Sequence, residues 1–403
     1  MDISKEIIPA VRTVDIKYAV RDIVVLAKQA EKKGKELLYL NIGDPNQFDF
    51  ATPDHMVKTM CEALRKNYNG YSPSSGIKPA TDAVEAEANS KGISNINDIF
   101  ITNGASEAIE LCLTALVNRG ENVLTPSPGY PLYTAIISRL EVKENPYYLD
   151  EANNWQPDVA DIERKINDKT RAIVLINPNN PTGSNCSKQT LIDLIEVAKR
   201  HDLIIFADEI YDKLLMDGGV HTSIASLDND LPMITFGGIS KNYFGPGLRL
   251  GWGIVSGNSS RLSNYIEAIN KLLRARLCAN HPLQHGIATA LFGPQDHITA
   301  AVKKLTRRRD LTYNMLNDID GISCVKPGGA FYAFPRLQDG WDDNKFVTGL
   351  IEETGVVTVP GSGFGQVPGT GHFRVVYLPP DGILEKAYSE IARYTKMFAD
   401  QNS

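Results

Sequence analysis

The side chains with the most chemical potential in this sequence stand just after short apolar runs. Ser240-Lys241-Asn242-Tyr243-Phe244-Gly245-Pro246-Gly247-Leu248-Arg249 follows Met233 to Phe236. A lysine beside a core usually snorkels to the surface. Its chemical use is as a Schiff-base nucleophile, an amine made reactive where its surroundings favour the neutral form. Arg249, close behind it, is a fixed cation able to grip a phosphate with two hydrogen bonds. Asp208-Glu209-Ile210-Tyr211 follows Leu203 to Ala207. An Asp in that place is either a helix N-cap or the partner of a protonated heterocyclic nitrogen, with Tyr211 aimed at the same ring.

Three turns complete the set. Asn177-Pro178-Asn179-Asn180-Pro181-Thr182-Gly183 ends the run Ala172 to Ile176. Turn chemistry explains most of it, yet the two prolines around Asn180 also suit a fixed hydrogen-bond donor. In Thr102-Asn103-Gly104-Ala105-Ser106-Glu107 a strand passes through a glycine turn into a helix. The free N–H groups of such a helix start bind phosphate, an ordinary N-cap being the plain alternative. In Ser127-Pro128-Gly129-Tyr130-Pro131-Leu132-Tyr133, Tyr130 either stacks on a flat cofactor or covers a core edge. All five segments fall at strand ends of one sheet, where open α/β sheets bind ligands. Together they supply what pyridoxal phosphate requires: an amine, a carboxylate, a hydrogen-bond donor, a phosphate cradle and a stacking ring.

The elements that must position them alternate strand and helix. Strands are expected at Ile99 to Thr102, Asn122 to Thr125, Ala172 to Asn177, Leu203 to Ala207, Met233 to Phe236 and Leu250 to Val255, with helices such as Ala105 to Val117 and Lys188 to Arg200 between them. That alternation predicts a mostly parallel sheet covered by helices. Long helices follow at Ser260 to Cys278, Leu283 to Leu291 and His297 to Leu316. A smaller mixed unit comes last, with strands at Cys324 to Val325, Ala330 to Phe334 and Phe373 to Tyr377 and helices at Asn344 to Thr354 and Ile383 to Phe398. The expected division is an N-terminal arm over 1–50 joining the small domain, a large domain over 51–295 and a small C-terminal domain over 296–403.

The 403 residues have room for two domains. Hydrophobic residues at 42% and charged residues at 22% describe a globular chain rather than a disordered or fibrous one. A net charge of −6 provides no basic field for nucleic acid or anionic lipid. The five scattered cysteines form no CxxC pair, so neither a disulfide framework nor a zinc site is expected. No signal peptide or membrane-length apolar run is visible, and the expected location is the cytoplasm.

Read together, the motifs resemble the class I aminotransferases of fold type I. The resemblance runs through LNIGDP (40–45), GYSPSSG (70–76), NPNNPTG, ADEIYD, SKNYFGPGLRLGW and GHFRVVYLPP (371–380). VDIKYAVRD near the start and RARLCANHP (274–282) are similar to the alanine aminotransferases of archaea and bacteria. The resemblance implies an α/β fold of large and small domains, pyridoxal 5'-phosphate as cofactor, and a homodimer with shared active sites. It implies that Lys241 holds the cofactor aldehyde as an internal aldimine and moves the proton from substrate Cα, while Asp208 keeps the ring nitrogen protonated. Asn180 and Tyr211 would bond the phenolic oxygen and Tyr130 would stack on the ring. Gly104, Ala105, Ser106 and Arg249 would hold the phosphate, joined by Tyr71 of the neighbouring subunit. Arg374 would bind the substrate α-carboxylate beside Gly43. Gly238 departs from aspartate-type relatives, which place a phosphate-binding serine there, a contact left to Ser240 or a water. Tyr18, Arg21 and Arg276 are candidates for discriminating substrates, Arg276 by meeting a distal carboxylate; a surface ion pair or core packing is the plain reading of each.

The expected reaction is transfer of an amino group between an L-amino acid, alanine first, and 2-oxoglutarate. Its rivals on the same cofactor are an aspartate or aromatic aminotransferase and a carbon–sulfur β-lyase. A pyridoxal-phosphate regulator would need a basic DNA-binding domain, which the sequence lacks. A nicotinamide enzyme would need a glycine fingerprint opening a helix, whereas Gly361-Ser362-Gly363-Phe364-Gly365 runs on into a strand. His281 and His285 share i, i+4 spacing but have no third ligand, and no metal is expected.

Overall fold

The computed structural model describes residues 7–13 and 19–402, the side chains of 19–22 and 402 excepted. Eight strands form the main sheet in the order Ile96–Thr102, Gly251–Ser256, Met233–Gly238, Ile204–Asp208, Thr170–Ile176, Asn122–Ser127, Lys143–Asp150 and Gln156–Pro157. From Met233–Gly238 to Lys143–Asp150 every pairing is parallel. Gly251–Ser256 runs antiparallel to both of its neighbours, and the short Gln156–Pro157 closes the far edge antiparallel.

Alternation along the strands explains why the sheet is covered on both faces. Ile173, Leu175, Ile205, Ala207 and Met233 point into one apolar layer, while Ala172, Val174, Ile204, Phe206, Ile234 and Phe236 point into the other. With both parities apolar, neither face can be left in water, so helices pack on each. The parallel strands therefore end together, and the loops beyond Ile176 and Asp208 open on one side.

A separate core gathers Leu305, Phe346, Phe373, Tyr377 and Tyr388 with Ile23, Ala27 and Ala30 of the helix Ala19–Lys32. Leu38–Tyr39 pairs in parallel with Val356–Val357, which ties the N-terminal segment to this core. Tyr211 and Phe244, from loops of the main sheet, reach into it as well.

Several elements differ from expectation for identifiable reasons. The helix expected over Leu283 to Leu291 is two, His281–Gln284 and Gly286–Phe292, with Gly286 lying so close to Met60 that a Cβ would stand 2.3 Å from its methyl carbon. Cys324 and Val325 are not a strand. The ladder falls two residues earlier, at Ile322–Ser323 paired with Arg336–Leu337. The helix Ser259–Ala275, capped by the Asn258 side chain, stops before Cys278. Helices Asp54–Arg65, Lys78–Ser90 and Pro131–Arg139 and the strand Lys143–Asp150 were not expected. Pro79 and Pro131 open two of them at the first turn, where a missing N–H costs nothing.

Candidate active site

Where the parallel strands end, residues of both cores enclose a cavity of about 760 Å³. The structure brings eleven of the expected residues to its wall: Lys241, Asp208, Tyr211, Asn180, Tyr130, Ser240, Ala105, Ser106, Arg249, Gly43 and Arg374.

Lys241 sits on the turn after Met233–Gly238, and its Nζ donates to the Gly43 carbonyl at 2.8 Å. Burial pulls its pKa down to about 8; Asp44 opposes the shift, and the cations Arg374 and Arg249 add to it. Asp208 ends its strand 4% exposed. Burial raises it to about 6, against the hydrogen bonds from the Ile210 N–H (3.3 Å) and the Tyr133 hydroxyl (3.3 Å), while the neighbouring Glu209 raises it further. No helix starts at Asp208, so the N-cap alternative is replaced by a bond to the amide two residues on, in a turn.

Tyr211 shares a 2.9 Å contact with the Tyr332 hydroxyl. Asn180 accepts from Arg374 Nη1 at 3.1 Å, and Nη2 donates to the Asn41 carbonyl at 2.6 Å. The Arg374 guanidinium lies 4.7 Å from the Tyr332 ring centre and 4.6 Å from that of Phe364. Held flat in this way, it presents a planar cation suited to a carboxylate.

Gly104, itself not on the cavity wall, precedes the helix Ala105–Leu116 with φ +85°, and no side chain caps that helix. Arg249, in the left-handed region at φ 53°, lays its guanidinium where a Gly104 Cβ would be, 2.3 Å from Nη2. A Cβ on Gly251 would fall 2.2 Å from the Ala105 amide nitrogen, so only glycine lets the helix start seat on this strand. First-turn amides and a fixed cation together make an anion cradle. Gly238 has no space for a serine, since a Cβ there would lie 2.8 Å from the Leu250 carbonyl. Ser240 is the hydroxyl that lines the cavity instead.

Other expected residues lie elsewhere. Tyr71 is 82% exposed and does not line the cavity of its own chain. Arg276 is absent from that wall too; its Nη2 donates to the carbonyls of Ile101 (2.7 Å) and Ser74 (3.2 Å), and Nε stands 3.7 Å from Glu107. Tyr18 lies outside the described residues, as does the side chain of Arg21. Tyr133, Tyr332, Asp44 and Val24 were not among the expected site residues. Tyr133 was legible in principle, because helical spacing from Tyr130 puts it one turn further along. Tyr332 carried no local signal, coming from a two-residue strand far along the chain.

The donor set fits pyridoxal phosphate. An amine with a lowered pKa and a buried carboxylate share one cavity, and the cradle of Gly104, Ala105, Ser106 and Arg249 matches a dianionic phosphate.

Residues 35–391 match the family described as aminotransferase class I and II. The chain is 42% identical to glutamate-pyruvate aminotransferase AlaA of Escherichia coli over 91% of its length and 92% of that protein. It is 40% identical to the alanine aminotransferase of Mycobacterium tuberculosis, with 94% and 90% covered. Its structure superposes on the alanine aminotransferase from Pyrococcus furiosus with a TM-score of 0.93 at 40% identity, covering 97% of this chain and all of the other.

Proposed function

The chain belongs to the class I and II aminotransferases, and from that premise we propose that it is a pyridoxal-phosphate-dependent alanine:2-oxoglutarate aminotransferase working as a homodimer in the cytoplasm. The observation that carries the chemistry is the pairing of Lys241 and Asp208 in one cavity, with their pKa values drawn to about 8 and about 6. The preference for alanine is supported by the activities named for the relatives at 40–42% identity.

Pyridoxal phosphate, when bound, supplies an electron-withdrawing ring that stabilises the charge left at a substrate Cα. This chain supplies the rest. Lys241 Nζ is the amine that would carry the cofactor and the base that would hold the proton taken from Cα. Asp208, ionised above pH 6, favours a protonated ring nitrogen; Tyr133 orients its carboxylate. Asn180 and Tyr211 would bond the phenolic oxygen, and Tyr130 would provide the stacking face. Arg374, clamped by Asn180 and the Asn41 carbonyl, would receive the α-carboxylate of amino and 2-oxo acids, which places Cα near Lys241.

The separate cores support reading 51–295 as the cofactor-binding domain and 296–403, with 1–50, as the smaller one. Exposed Tyr71, with Leu64, Tyr68 and Leu277 also open to solvent, supports a partner surface. No helix among the described residues is long and apolar enough to cross a membrane.

Single-turnover reaction of the holoenzyme with alanine, glutamate, aspartate and phenylalanine, followed by cofactor absorbance, tests the assignment. Alanine and glutamate should react with the highest kcat/KM. A preference for aspartate or phenylalanine would reject the alanine assignment and leave aminotransfer intact.

A further inference from the structure

Directly behind the cavity lies an ionic cluster whose carboxylates are buried and whose lysines are partly exposed. Along Asp208–Asp212 the side chains of Asp208 and Tyr211 line the cavity, whereas Glu209 (4% exposed) and Asp212 (8%) are absent from its wall and enter the cluster. Asp212 pairs with Lys91 and accepts from Asn242 Nδ2 at 2.6 Å. Asn242 is the residue after Lys241, so this bond joins the segment of Asp208 and Tyr211 to the one that carries the amine. Lys91 also lies 3.6 Å from Glu87, Lys213 is 2.6 Å from Glu87, and Lys213 donates to the Tyr243 hydroxyl at 2.8 Å. Glu209 accepts from Ser223 Oγ at 2.9 Å and pairs with His221 Nε2 at 3.1 Å.

Three carboxylates (Glu87, Glu209, Asp212) thus face two ammonium groups (Lys91, Lys213), and the cluster is neutral only with an imidazolium at His221. A buried charge left unbalanced is costly, so the count matters. Burial alone would lower the His221 pKa, and Lys91 works in the same direction. The charges of Glu209 and Asp212 outweigh both, and the net shift is upward. Neither ring nitrogen of His221 makes a hydrogen bond of good geometry among the described residues, so its tie to the cluster is the 3.1 Å charge contact of Nε2 with Glu209.

We propose that His221 is a positioning residue for aminotransfer: paired with Glu209 it balances the cluster, which through Asp212 and Asn242 holds Asp208 in register with Lys241 and shields both from the Glu209 charge. This rests on the reading of Lys241 and Asp208 as cofactor-binding residues.

A charge cycle on the holoenzyme tests it, read as the pH midpoint of the absorbance change of the cofactor bound at Lys241. Loss of a positive charge nearby favours protonation, so His221→Gln should raise the midpoint by about 0.5–1 unit, and Glu209→Gln should lower it by about as much. The double variant, neutral again, should return to the wild-type midpoint. His221→Gln should also lose kcat by about tenfold with KM for alanine nearly unchanged, as expected for a residue that aligns groups rather than binds substrate. Wild-type midpoints in both single variants, whatever their melting temperatures, would overturn the proposal. Should the single variants not fold, Asn242→Ser decides, because it cuts the link without altering charge: reduced kcat at unchanged KM supports the proposal, and wild-type kcat overturns it. A wild-type protein that shows no cofactor band, or whose cofactor is not fixed to Lys241 by borohydride, would instead overturn the underlying reading.

Discussion

Asp208 and Lys241 are perturbed in opposite directions by one cause, the loss of water around a charge. Each is therefore destabilised in its ionised form until the cofactor provides a counterpart. For Asp208 the sign is definite. Its folded pKa of about 6 lies above the ordinary value of 3.8, so the native state binds the extra proton between those limits and stability falls as pH rises through that window. Asp208→Asn should accordingly stabilise the cofactor-free protein by about 1–3 kcal/mol at pH 7. That advantage should vanish near pH 4, and melting curves at both pH values measure it. The same variant should lose about 10²–10⁴-fold in turnover; near-normal exchange of the substrate Cα proton would contradict its assigned role. At this scale the sequence was legible where chemistry forced an unusual residue into a turn after a strand, as with Lys241, Asp208 and Asn180. It was mute for Tyr332, whose place opposite Tyr211 depends on a fold-wide return of the chain, and it suggested for Arg276 a substrate contact that its own chain's cavity does not include.

At the scale of elements, the strand ends carry the site and glycines set their spacing. Gly104 combines φ +85° with a guanidinium in the volume of the missing Cβ. Gly104→Ala should push Arg249 out of the phosphate cradle and weaken cofactor binding by about 10–100-fold, on the order of one or two lost charge-assisted hydrogen bonds. Equilibrium dialysis against pyridoxal phosphate checks this, with circular dichroism confirming the fold. The core strands were legible because their apolar runs are continuous, the mark of a sheet buried on both faces. The strand Lys143–Asp150, next to the edge, was not, since only two of its eight residues are fully buried and Lys143, Pro146 and Asp150 are exposed. The helix Lys78–Ser90 was obscured by alanines and acids that blur its apolar stripe; its buried side is Ala80, Ala83, Val84, Ala88 and the acid Glu87. The antiparallel direction of Gly251–Ser256 leaves no trace in composition, because direction is set by the connection rather than by the residues.

At the scale of the whole molecule, the cavity is built by two cores of one chain, and Tyr71 points to a contribution from a second. An exposed tyrosine on the loop before the helix Lys78–Ser90 gains nothing from packing within its own subunit. Mixing inactive Lys241→Ala protein with an inactive Tyr71→Ala variant should restore part of the activity, up to about a quarter of wild type if subunits mix at random and each site needs both groups. No recovery despite proven subunit exchange would leave Tyr71 a plain loop residue. The proposed division into a sheet domain and a mixed unit rests on the change of pattern along the chain and on the separate cores. How the N-terminal segment joins the second core was less legible in the sequence, because it is made by the two-residue pairing of Leu38–Tyr39 with Val356–Val357. The proposed aminotransfer depends on one amine. Borohydride reduction of the protein with pyridoxal phosphate bound, followed by peptide mass mapping, should place the added cofactor mass on Lys241; attachment to another lysine, or none at all, would contradict it.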